Sequence, residues 1–300
     1  MIISASRRTD IPAFYFDWFI KRLKEGYVMT RNPYNYRQVS KINLEPEAVD
    51  CIVFWTSNPE NMLDKLKYLR EYEYYFQFTL TGYGGDIEKN LPEKDEIIKT
   101  FQQLATEIGK ERIIWRYDPI LLAEEITENF HYENFAYLAE KLQYSTEKCI
   151  ISFLDEYKKI KGRLKKINYK PLGKRKKQEI AGGLKSIAGR YGLELVTCAE
   201  EIDLSTLGIS RGKCIDDDLI ARLLGSELDI PKDSSQREAC RCARSVDIGV
   251  YNTCRHGCLY CYASGKIDTV REKVKKHSSD SPLLVGRPEK EDVIREKNYS

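Results

Sequence analysis

The sequence predicts an α/β protein built as a complete or partial (β/α) TIM-like barrel. Seven short apolar segments recur along the chain, each followed by a polar cluster and then a helical pattern, at 2–6, 51–55, 74–80, 112–117, 149–154, 193–197 and 247–252. Near-continuous apolar strands that alternate with helices are typical of a parallel sheet covered by helices. Seven such units in one chain favour a barrel over an open sheet.

Several elements between these segments have recognisable boundaries. Asp10, followed within two residues by a proline, is typical of a helix start, and Gly26 is typical of its end. Asn58, which also precedes a proline, predicts a second helix start. A further helix is expected at 178–191, and a hairpin or extra strand is expected at 28–44.

The active site of such a barrel lies at the C-terminal ends of the strands. Candidate catalytic side chains at these ends are Arg7, Arg8, Asp10, Arg116 and Asp118. The planar guanidinium groups suit a carboxylate or a phosphate. A purely structural alternative is equally open, in which Arg116 pairs with Asp118 and Asp10 acts only as a helix cap.

The last apolar segment leads into the cysteine loop, whose sequence from residue 247 is DIGVYNTCRHGCLYCYA. Three residues separate Cys254 from Cys258, and two separate Cys258 from Cys261. Three thiolates at this spacing can hold three corners of a [4Fe–4S] cluster and leave the fourth iron open. A structural zinc site usually has four ligands with two-residue spacings within each pair, so zinc is the weaker alternative. His256, inside the loop, is expected to be solvated.

The spacing of the three cysteines, with an aromatic Tyr260 just before the third, resembles the radical S-adenosylmethionine (SAM) superfamily. The resemblance implies that SAM binds the open iron and is cleaved to a 5′-deoxyadenosyl radical, which abstracts hydrogen from a substrate. It also implies an electron donor of the flavodoxin or ferredoxin type. Tyr260, Thr56 and Asn58 are the candidate contacts to SAM, although Asn58 also fits an ordinary helix cap.

The position of the cysteine loop departs from the common radical SAM order. In that order the loop follows the first strand, whereas here it follows the last recognisable one. A circular permutation reconciles the two orders, because barrel termini lie close together. It predicts that the strand at 247–252 pairs with the strand at 2–6.

The resemblance to one family extends over nearly the whole chain. It rests on the cysteine loop and on the stretches SASRRTDIPAFY, CIVFWTSNPENML, IIWRYDPI, CAEEIDL and QREACRC. These are similar to the domain of unknown function 1848 (DUF1848). The resemblance implies a radical-SAM-like iron–sulfur protein with a distant relationship to spore photoproduct lyase, and it supplies no substrate.

Four further cysteines are expected near the same end of the barrel. They can hold an auxiliary iron–sulfur cluster or a tetrahedral zinc, or remain free thiols; they are Cys198, Cys214, Cys240 and Cys242. Cys51 and Cys149 begin apolar strands and are expected to pack in the core as small hydrophobic residues.

Composition and charge limit the remaining possibilities. Nine cysteines without an export signal favour a reducing cytoplasm and metal binding over disulfides. No window of about 18 apolar residues predicts a membrane span. The net charge of +3 does not by itself indicate a nucleic-acid partner, but the segment 158–177 contains eleven Lys or Arg and no acidic residue. A polyanionic substrate would be drawn to this basic run, but an ordinary solvated helix face is the more common explanation of such a run.

The sequence therefore predicts a barrel at 1–265 that includes the cysteine loop. It also predicts a C-terminal extension at 266–300, with one helix, an apolar patch at 282–285 that docks on the barrel, and a frayed end. The favoured function is that of a radical SAM enzyme, with nucleic acid one candidate substrate. The alternatives are an iron–sulfur electron-transfer protein and a zinc-stabilised nucleic-acid-binding module.

Overall fold

A computed structural model describes residues 1–297. The strands of the described chain are β1 Ile2–Ala5, β2 Tyr27–Arg31, β3 Gln38–Asn43, β4 Cys51–Thr56, β5 Tyr74–Thr79, β6 Ile113–Ile120, β7 Lys148–Phe153, β8 Glu194–Thr197, β9 Ser210–Arg211, β10 Val246–Asp247 and β11 Val293–Lys297. The α-helices are α1 Ile11–Phe14, α2 Phe16–Lys24, α3 Lys94–Ile108, α4 Glu128–Leu142, α5 Lys161–Leu164, α6 Lys174–Arg190, α7 Asp217–Leu224 and α8 Ile267–Lys275. Tighter 3₁₀ helices occupy Pro46–Ala48, Glu60–Leu69, Lys110–Arg112, Lys158–Ile160, Lys165–Ile167 and Ser205–Leu207.

Eight parallel strands form the main sheet, in the order β10-β1-β4-β5-β6-β7-β8-β9. Six of the seven predicted strands are present near their predicted bounds, whereas the one predicted at 247–252 is reduced to the two-residue β10. The α/β, barrel-like prediction is confirmed at this level. β10 pairs with β1, as expected, with Ile3 opposite Val246. The eighth strand, β9, was not predicted, because it has only two residues and both are exposed.

The two faces of the sheet have different partners. One face packs against helices, and its cluster includes Phe54, Phe76 and Trp115 together with Trp18 of α2 and Leu184 of α6. The opposite, inner face presents the intervening strand residues, which are Ile2, Cys51, Val53, Tyr75, Ile114, Ile150 and Val196. This alternation follows from the two-residue period of a strand. The prediction that Cys51 and Cys149 pack in the core is confirmed, because both are fully buried among apolar side chains.

The helices begin and end largely where the sequence indicates. Asp10 caps α1, Gly26 has φ +72° just after α2, and the antiparallel strands β2 and β3 form the hairpin expected at 28–44. The predicted helix after Asn58 is a 3₁₀ helix at Glu60–Leu69. The helix expected at 178–191 begins four residues earlier, at Lys174.

The C-terminal extension packs against the hairpin and α2. Leu283 and Leu284 are buried, and the indole N–H of Trp18 donates to the carbonyl of Ser281 at 2.8 Å. The prediction of a frayed end is wrong for Val293–Lys297, which pairs in parallel with β3. An ion pair between Arg31 and Asp292 fixes the approach of this strand. Residues 298–300 lie outside the described part. In the part that is described, no helix has the length and apolarity needed to cross a membrane.

Candidate functional site

A cavity of about 310 Å³ opens at the C-terminal ends of the strands. Its wall takes residues from the ends of β1, β4, β6, β7 and β8, as expected for a barrel-like α/β fold. Seven of the nine cysteines line it, namely Cys198, Cys214, Cys240, Cys242, Cys254, Cys258 and Cys261. Their convergence makes this cavity the candidate site.

The cysteine loop is fixed along one side by the segment that follows β5. The backbone N–H of Leu259 donates to the Ile87 carbonyl at 2.9 Å. Asn90 holds the loop twice, because its backbone N–H donates to the His256 carbonyl at 3.0 Å and its side-chain amide to the Arg255 carbonyl at 2.7 Å. The backbone that presents the thiols is therefore held before any ligand binds.

Arg163 fixes the other side of the loop. Its guanidinium donates to the carbonyls of Cys258 at 3.3 Å, Cys261 at 2.7 Å and Ser264 at 2.9 Å. This residue lies in α5, within the basic run, where the sequence indicated only a charged surface. The planar, forked donor explains how one side chain can join three carbonyl groups.

Of the three loop cysteines, Cys258 is buried and Cys254 and Cys261 are half-buried. Burial raises the pKa of the Cys254 thiol, and the neighbouring Cys261 and Asp10 raise it further, while the backbone N–H groups of His256 and Asp10 act in the opposite direction. Burial likewise raises the pKa of Cys258. Thiolates gathered in such a place need a positive partner, which a metal centre supplies. Their role as ligands stays a prediction.

His256 is buried, and the expectation of a solvated loop histidine is wrong. It is 4% exposed, and its Nε2 lies 2.8 Å from Oδ2 of Asp10. The same carboxylate accepts from the Thr56 hydroxyl at 3.0 Å and from the Ser57 backbone N–H at 2.8 Å, while its other oxygen caps α1. Asp10 is thus both a helix cap and the connection between β1, β4 and the cysteine loop.

Both arginines after β1 line the cavity, and both approach Asp247 of β10. Arg7 lies 4.0 Å from that carboxylate and 3.7 Å from Asp233, whereas Arg8 has an ion-pair distance of 3.8 Å to Asp247. Asp247 also accepts from the Ser6 hydroxyl at 2.7 Å. Arg8 is therefore the less constrained of the two, with its side chain 29% exposed.

Arg116 and Asp118 pair with each other, as the purely structural alternative to a catalytic role predicts. The guanidinium of Arg116 makes two hydrogen bonds to the Asp118 carboxylate, which also accepts from the Ser152 hydroxyl at 3.1 Å. Burial opposes protonation of Arg116, but Asp118 and the thiols of Cys214 and Cys198 raise its pKa well above the ordinary value. Arg116 is thus a fixed cation on the inner face.

The three candidate SAM contacts occupy different positions. Thr56 and Tyr260 line the cavity, whereas Asn58 lies outside its lining and accepts from the Glu60 backbone N–H at 3.4 Å. The N-cap of the following 3₁₀ helix is Pro59, one residue after the cap expected at Asn58. The Tyr260 hydroxyl donates to Glu88, a buried carboxylate that also pairs with Lys94. The Tyr260 ring is consequently fixed in the wall.

The second group of cysteines, Cys198, Cys214, Cys240 and Cys242, lines the same cavity as the cysteine loop. Cys198 follows β8, Cys214 follows β9, and Cys240 and Cys242 precede β10. The sulfur atoms of Cys198 and Cys214 are 2.8 Å apart. The structure thus brings these four residues together from three separate parts of the chain to line one cavity, near the end of the barrel where the sequence places them.

Several side chains of the basic run form ion pairs or pack against aromatic rings of the protein itself. Lys176 pairs with Glu128 at 2.7 Å, and Lys177 with Glu200 at 3.3 Å. Lys159 lies over the ring of Tyr262 at 5.9 Å, beside the cavity mouth. Only part of the run therefore remains available to attract a polyanion.

Four site residues were not identified from the sequence: Glu88, Asp233, Arg237 and Asp247. Arg237 and Asp247 stand within the stretches that resemble the DUF1848 family, which is the only signal that pointed to them. Glu88 and Asp233 lie in loops without any pattern. Their burial, 2% and 6% exposed, results from contacts between distant segments.

Comparison with known proteins gives a family and a weak structural likeness. No curated protein matches the sequence. A solved structure of a protein assigned as an alpha-L-fucosidase from Bacteroides thetaiotaomicron VPI-5482 is similar at 13% identity, with 76% of this chain and 85% of that chain covered and a TM-score of 0.26. The family model described as domain of unknown function (DUF1848) matches residues 2–263. The chain belongs to the DUF1848 family.

Proposed function

We propose that this protein is a radical SAM enzyme whose [4Fe–4S] cluster is held by Cys254, Cys258 and Cys261. The observation on which the proposal depends is that all three thiols line one cavity at the strand ends. Their spacing leaves one iron of a cubane cluster without a cysteine. The loop backbone is held by Arg163 and Asn90, so the donor set is organised in advance.

The cavity wall also offers polar groups that await a partner. Among the described residues, the buried atoms without a hydrogen bond include Oγ1 of Thr9, Nε1 of Trp55 and Nδ1 of His256, and all three residues line the cavity. Unpaired buried polar groups are costly unless a ligand satisfies them. The carboxylate, amino and adenine groups of SAM are suitable partners, so the residues present fit the cofactor.

When bound and reduced, the cluster with SAM supplies one electron that cleaves the sulfonium bond, and the resulting 5′-deoxyadenosyl radical takes hydrogen from the substrate. The chain's own residues bind and orient. Arg8, the less constrained guanidinium, is suited to a carboxylate or phosphate. Arg116 stays fixed by Asp118 and keeps positive charge beside the cavity. An external electron donor of the flavodoxin or ferredoxin type completes the reaction.

The strand order supports a circularly permuted version of the radical SAM barrel. The strand that leads into the cysteine loop, β10, lies beside β1 although 240 or more residues separate them in sequence. The cysteine loop therefore follows the edge strand β10, which lies next to β1, the first strand of the chain. The permutation changes the chain order while the site is preserved.

The mouth of the cavity favours an anionic substrate with planar rings, which includes nucleic acid. Tyr157 and Tyr262 are each 39% exposed, and their ring centroids are 5.5 Å apart. Lys159 lies over the Tyr262 ring, and Arg237 lines the cavity. Exposed aromatic rings beside cations are the usual means of holding single-stranded bases.

An anaerobic assay tests the proposed activity. Protein reconstituted with iron and sulfide is reduced with dithionite in the presence of SAM, and 5′-deoxyadenosine is measured. We expect product from the wild type and from Cys149→Ala, whose sulfur is buried in the core away from the cavity. Cys258→Ala is expected to lose it. Bound zinc without iron in the cysteine loop, or iron without cleavage of SAM, would reject the proposal.

One observation favours a second candidate function, that of an electron-transfer iron–sulfur protein. A histidine that binds a metal usually directs its other ring nitrogen to a carboxylate. His256 has this arrangement, because Nε2 contacts Asp10 and Nδ1 is buried without a partner. If His256 supplies a fourth ligand, no iron is open to SAM. A His256→Ala variant that gains SAM cleavage absent from the wild type would favour this candidate.

A further inference from the structure

Four thiols converge beside the cavity from three loops. Besides the 2.8 Å approach of Cys198 to Cys214, the sulfur of Cys242 accepts from the backbone N–H of Cys214 at 3.3 Å and of Ile215 at 3.4 Å. The Cys240 thiol also contacts Cys242. Backbone N–H groups directed at sulfur are characteristic of metal-bound thiolates, since they stabilise the negative charge.

The surrounding protein holds these loops in place. The Tyr75 hydroxyl donates to the Cys214 carbonyl at 2.6 Å, and the Gln77 amide donates to the same oxygen at 2.9 Å. The Ala243 backbone N–H donates to the Ile215 carbonyl at 3.0 Å, which joins the Cys242 segment to the Cys214 segment. Two inner-face side chains of β5 and one loop-to-loop bond therefore fix the position of two of the thiols.

Positive charge is placed where four thiolates would require it. Nη1 of Arg116 lies 2.8 Å from the Cys214 sulfur, and this guanidinium is buried. Arg7 also lines the cavity and adds a second guanidinium near these loops, 3.7 Å from Asp233. A centre with four thiolate ligands is anionic even after it binds a cation core, and buried charges of this kind need compensation.

The sulfur atoms are not placed as the ligands of a single zinc ion. The thiolates of a tetrahedral zinc, with Zn–S bonds of ~2.3 Å, lie about 3.8 Å apart in every pair. Among the described residues, no three of these thiols lie mutually within 4.8 Å. The 2.8 Å approach of Cys198 to Cys214 is closer than the ligands of either kind of centre, so this pair has to separate when metal binds.

We propose that Cys198, Cys214, Cys240 and Cys242 bind a second iron–sulfur cluster, distinct from the one assigned to the cysteine loop. Four cysteine ligands leave no iron vacant, which suits this centre to electron transfer and not to substrate binding. The proposal goes beyond SAM cleavage and does not depend on it, because the four thiols exclude every residue of the loop.

A variant that lacks the loop cysteines isolates the second site. Full-length protein with Cys254, Cys258 and Cys261 all changed to alanine is purified anaerobically, and iron, zinc and acid-labile sulfide are measured. We expect iron and sulfide in equal amounts, with visible absorbance. Adding Cys214→Ala and Cys242→Ala should remove both, whereas adding Cys51→Ala, a buried core cysteine, should leave them unchanged.

A second variant, in which the loop cysteines are kept and the second site is removed, tests the proposal if the triple alanine variant does not fold. Protein with intact loop cysteines but Cys214→Ala and Cys242→Ala should lose one of two cluster signals in Mössbauer spectra and retain the other. Zinc without sulfide in the isolated second site would overturn the proposal. A metal-free protein with a Cys198–Cys214 disulfide, identified by mass spectrometry, would overturn it as well.

Discussion

At the scale of single residues, Arg163 is the side chain on which the geometry of the cysteine loop most depends. It contributes three hydrogen bonds to loop carbonyls. We predict that Arg163→Ala lowers the iron retained after anaerobic gel filtration at least several-fold and costs about 2 kcal/mol of unfolding free energy, since bonds to a charged donor are the stronger kind. Iron content and urea unfolding measure the two effects.

The matched control for this variant is Lys165→Ala, which removes one positive charge from the same basic run. Lys165 is exposed, and its change should leave iron retention within experimental error. Equal loss in both variants would show that the charge of the run matters and that the specific bonds of Arg163 do not.

His131 makes the free energy of unfolding depend on pH. Burial lowers its pKa to about 4, and its ring contacts the Tyr117 hydroxyl and the Leu121 carbonyl. Between pH 6.5 and pH 4 the unfolded chain therefore binds a proton that the folded protein excludes, so stability falls as the pH falls. We predict a loss of about 1 kcal/mol from this group between pH 7.5 and pH 5.5.

Urea unfolding of the metal-free wild type and of His131→Gln at these two pH values isolates that contribution. The difference in stability between the two proteins should shift by this amount in favour of the variant at the lower pH. A difference that does not change with pH would contradict the assignment of a buried, neutral His131.

The sequence identifies side chains whose roles depend on local spacing, and it misses those whose roles depend on distant contacts. The three loop cysteines and the capping function of Asp10 are visible because each pattern spans a few residues. The burial of His256 is not visible, because it results from a contact with Asp10, which is 246 positions away. Arg163 is hidden for the same reason, since its carbonyl partners lie 95 to 101 positions further along the chain.

At the scale of elements, Asp10 joins helix α1 to β4 and to the cysteine loop. Asp10→Ala removes the cap and also leaves the Thr56 hydroxyl, the Ser57 N–H and His256 without their shared acceptor. We predict a loss of about 3 kcal/mol or more in metal-free protein, because each buried group left unpaired costs about 1–3 kcal/mol.

Thr127→Ala provides the comparison for a cap alone. Thr127 caps α4 by accepting from the Phe130 backbone N–H at 3.2 Å, and this change should cost about 1 kcal/mol. Urea unfolding of both variants measures the difference. If the two losses are equal, Asp10 stabilises its helix and contributes nothing to the connection between elements.

The C-terminal extension can be divided by two truncations. Ending the chain after Gly286 removes β11 but keeps the buried Leu283 and Leu284. We predict a loss of about 2 kcal/mol, because the residues of β11 are exposed but Arg31 loses its partner Asp292. Ending it after Ser279 also removes both leucines and the acceptor of the Trp18 indole, which should cost about 4 kcal/mol or more.

Thermal or urea unfolding of the two truncated chains checks this order. The shorter chain should be the less stable by several kcal/mol. Similar stabilities would mean that the docking of Leu283 and Leu284 adds little and that β11 is the important contact.

Element prediction succeeds where burial produces a strong apolar pattern and fails where an element is short or exposed. Six of the predicted strands have buried sides and appear in the structure, whereas the one predicted at 247–252 is reduced to the two-residue β10. β9 consists of the polar pair Ser210–Arg211, and β11 has five exposed residues, so neither produces an apolar signal. The pairing of β11 with β3 depends on a partner more than 250 residues away, which no local pattern indicates.

At the scale of the whole molecule, the order of the strands places two groups of cysteines around one cavity. The loop cysteines enter from the β10 side of the sheet, and Cys198 and Cys214 enter from the β8–β9 side. Parallel strands bring all their C-terminal ends to one edge, which made the location of the site predictable from sequence. The pairing of individual side chains within the cavity was not predictable, because it depends on how the sheet curves.

The central claim is that the cluster of Cys254, Cys258 and Cys261 has an open iron that binds SAM. Electron–nuclear double resonance of the reduced protein, with SAM isotope-labelled at its amino nitrogen, tests this contact directly. We predict a hyperfine coupling from the labelled nitrogen to the cluster in the wild type and in Cys149→Ala, a core cysteine outside the cavity, and none in Cys258→Ala. A reduced cluster whose spectrum is unchanged by labelled SAM would contradict the claim and would favour a fully ligated electron-transfer centre that includes His256.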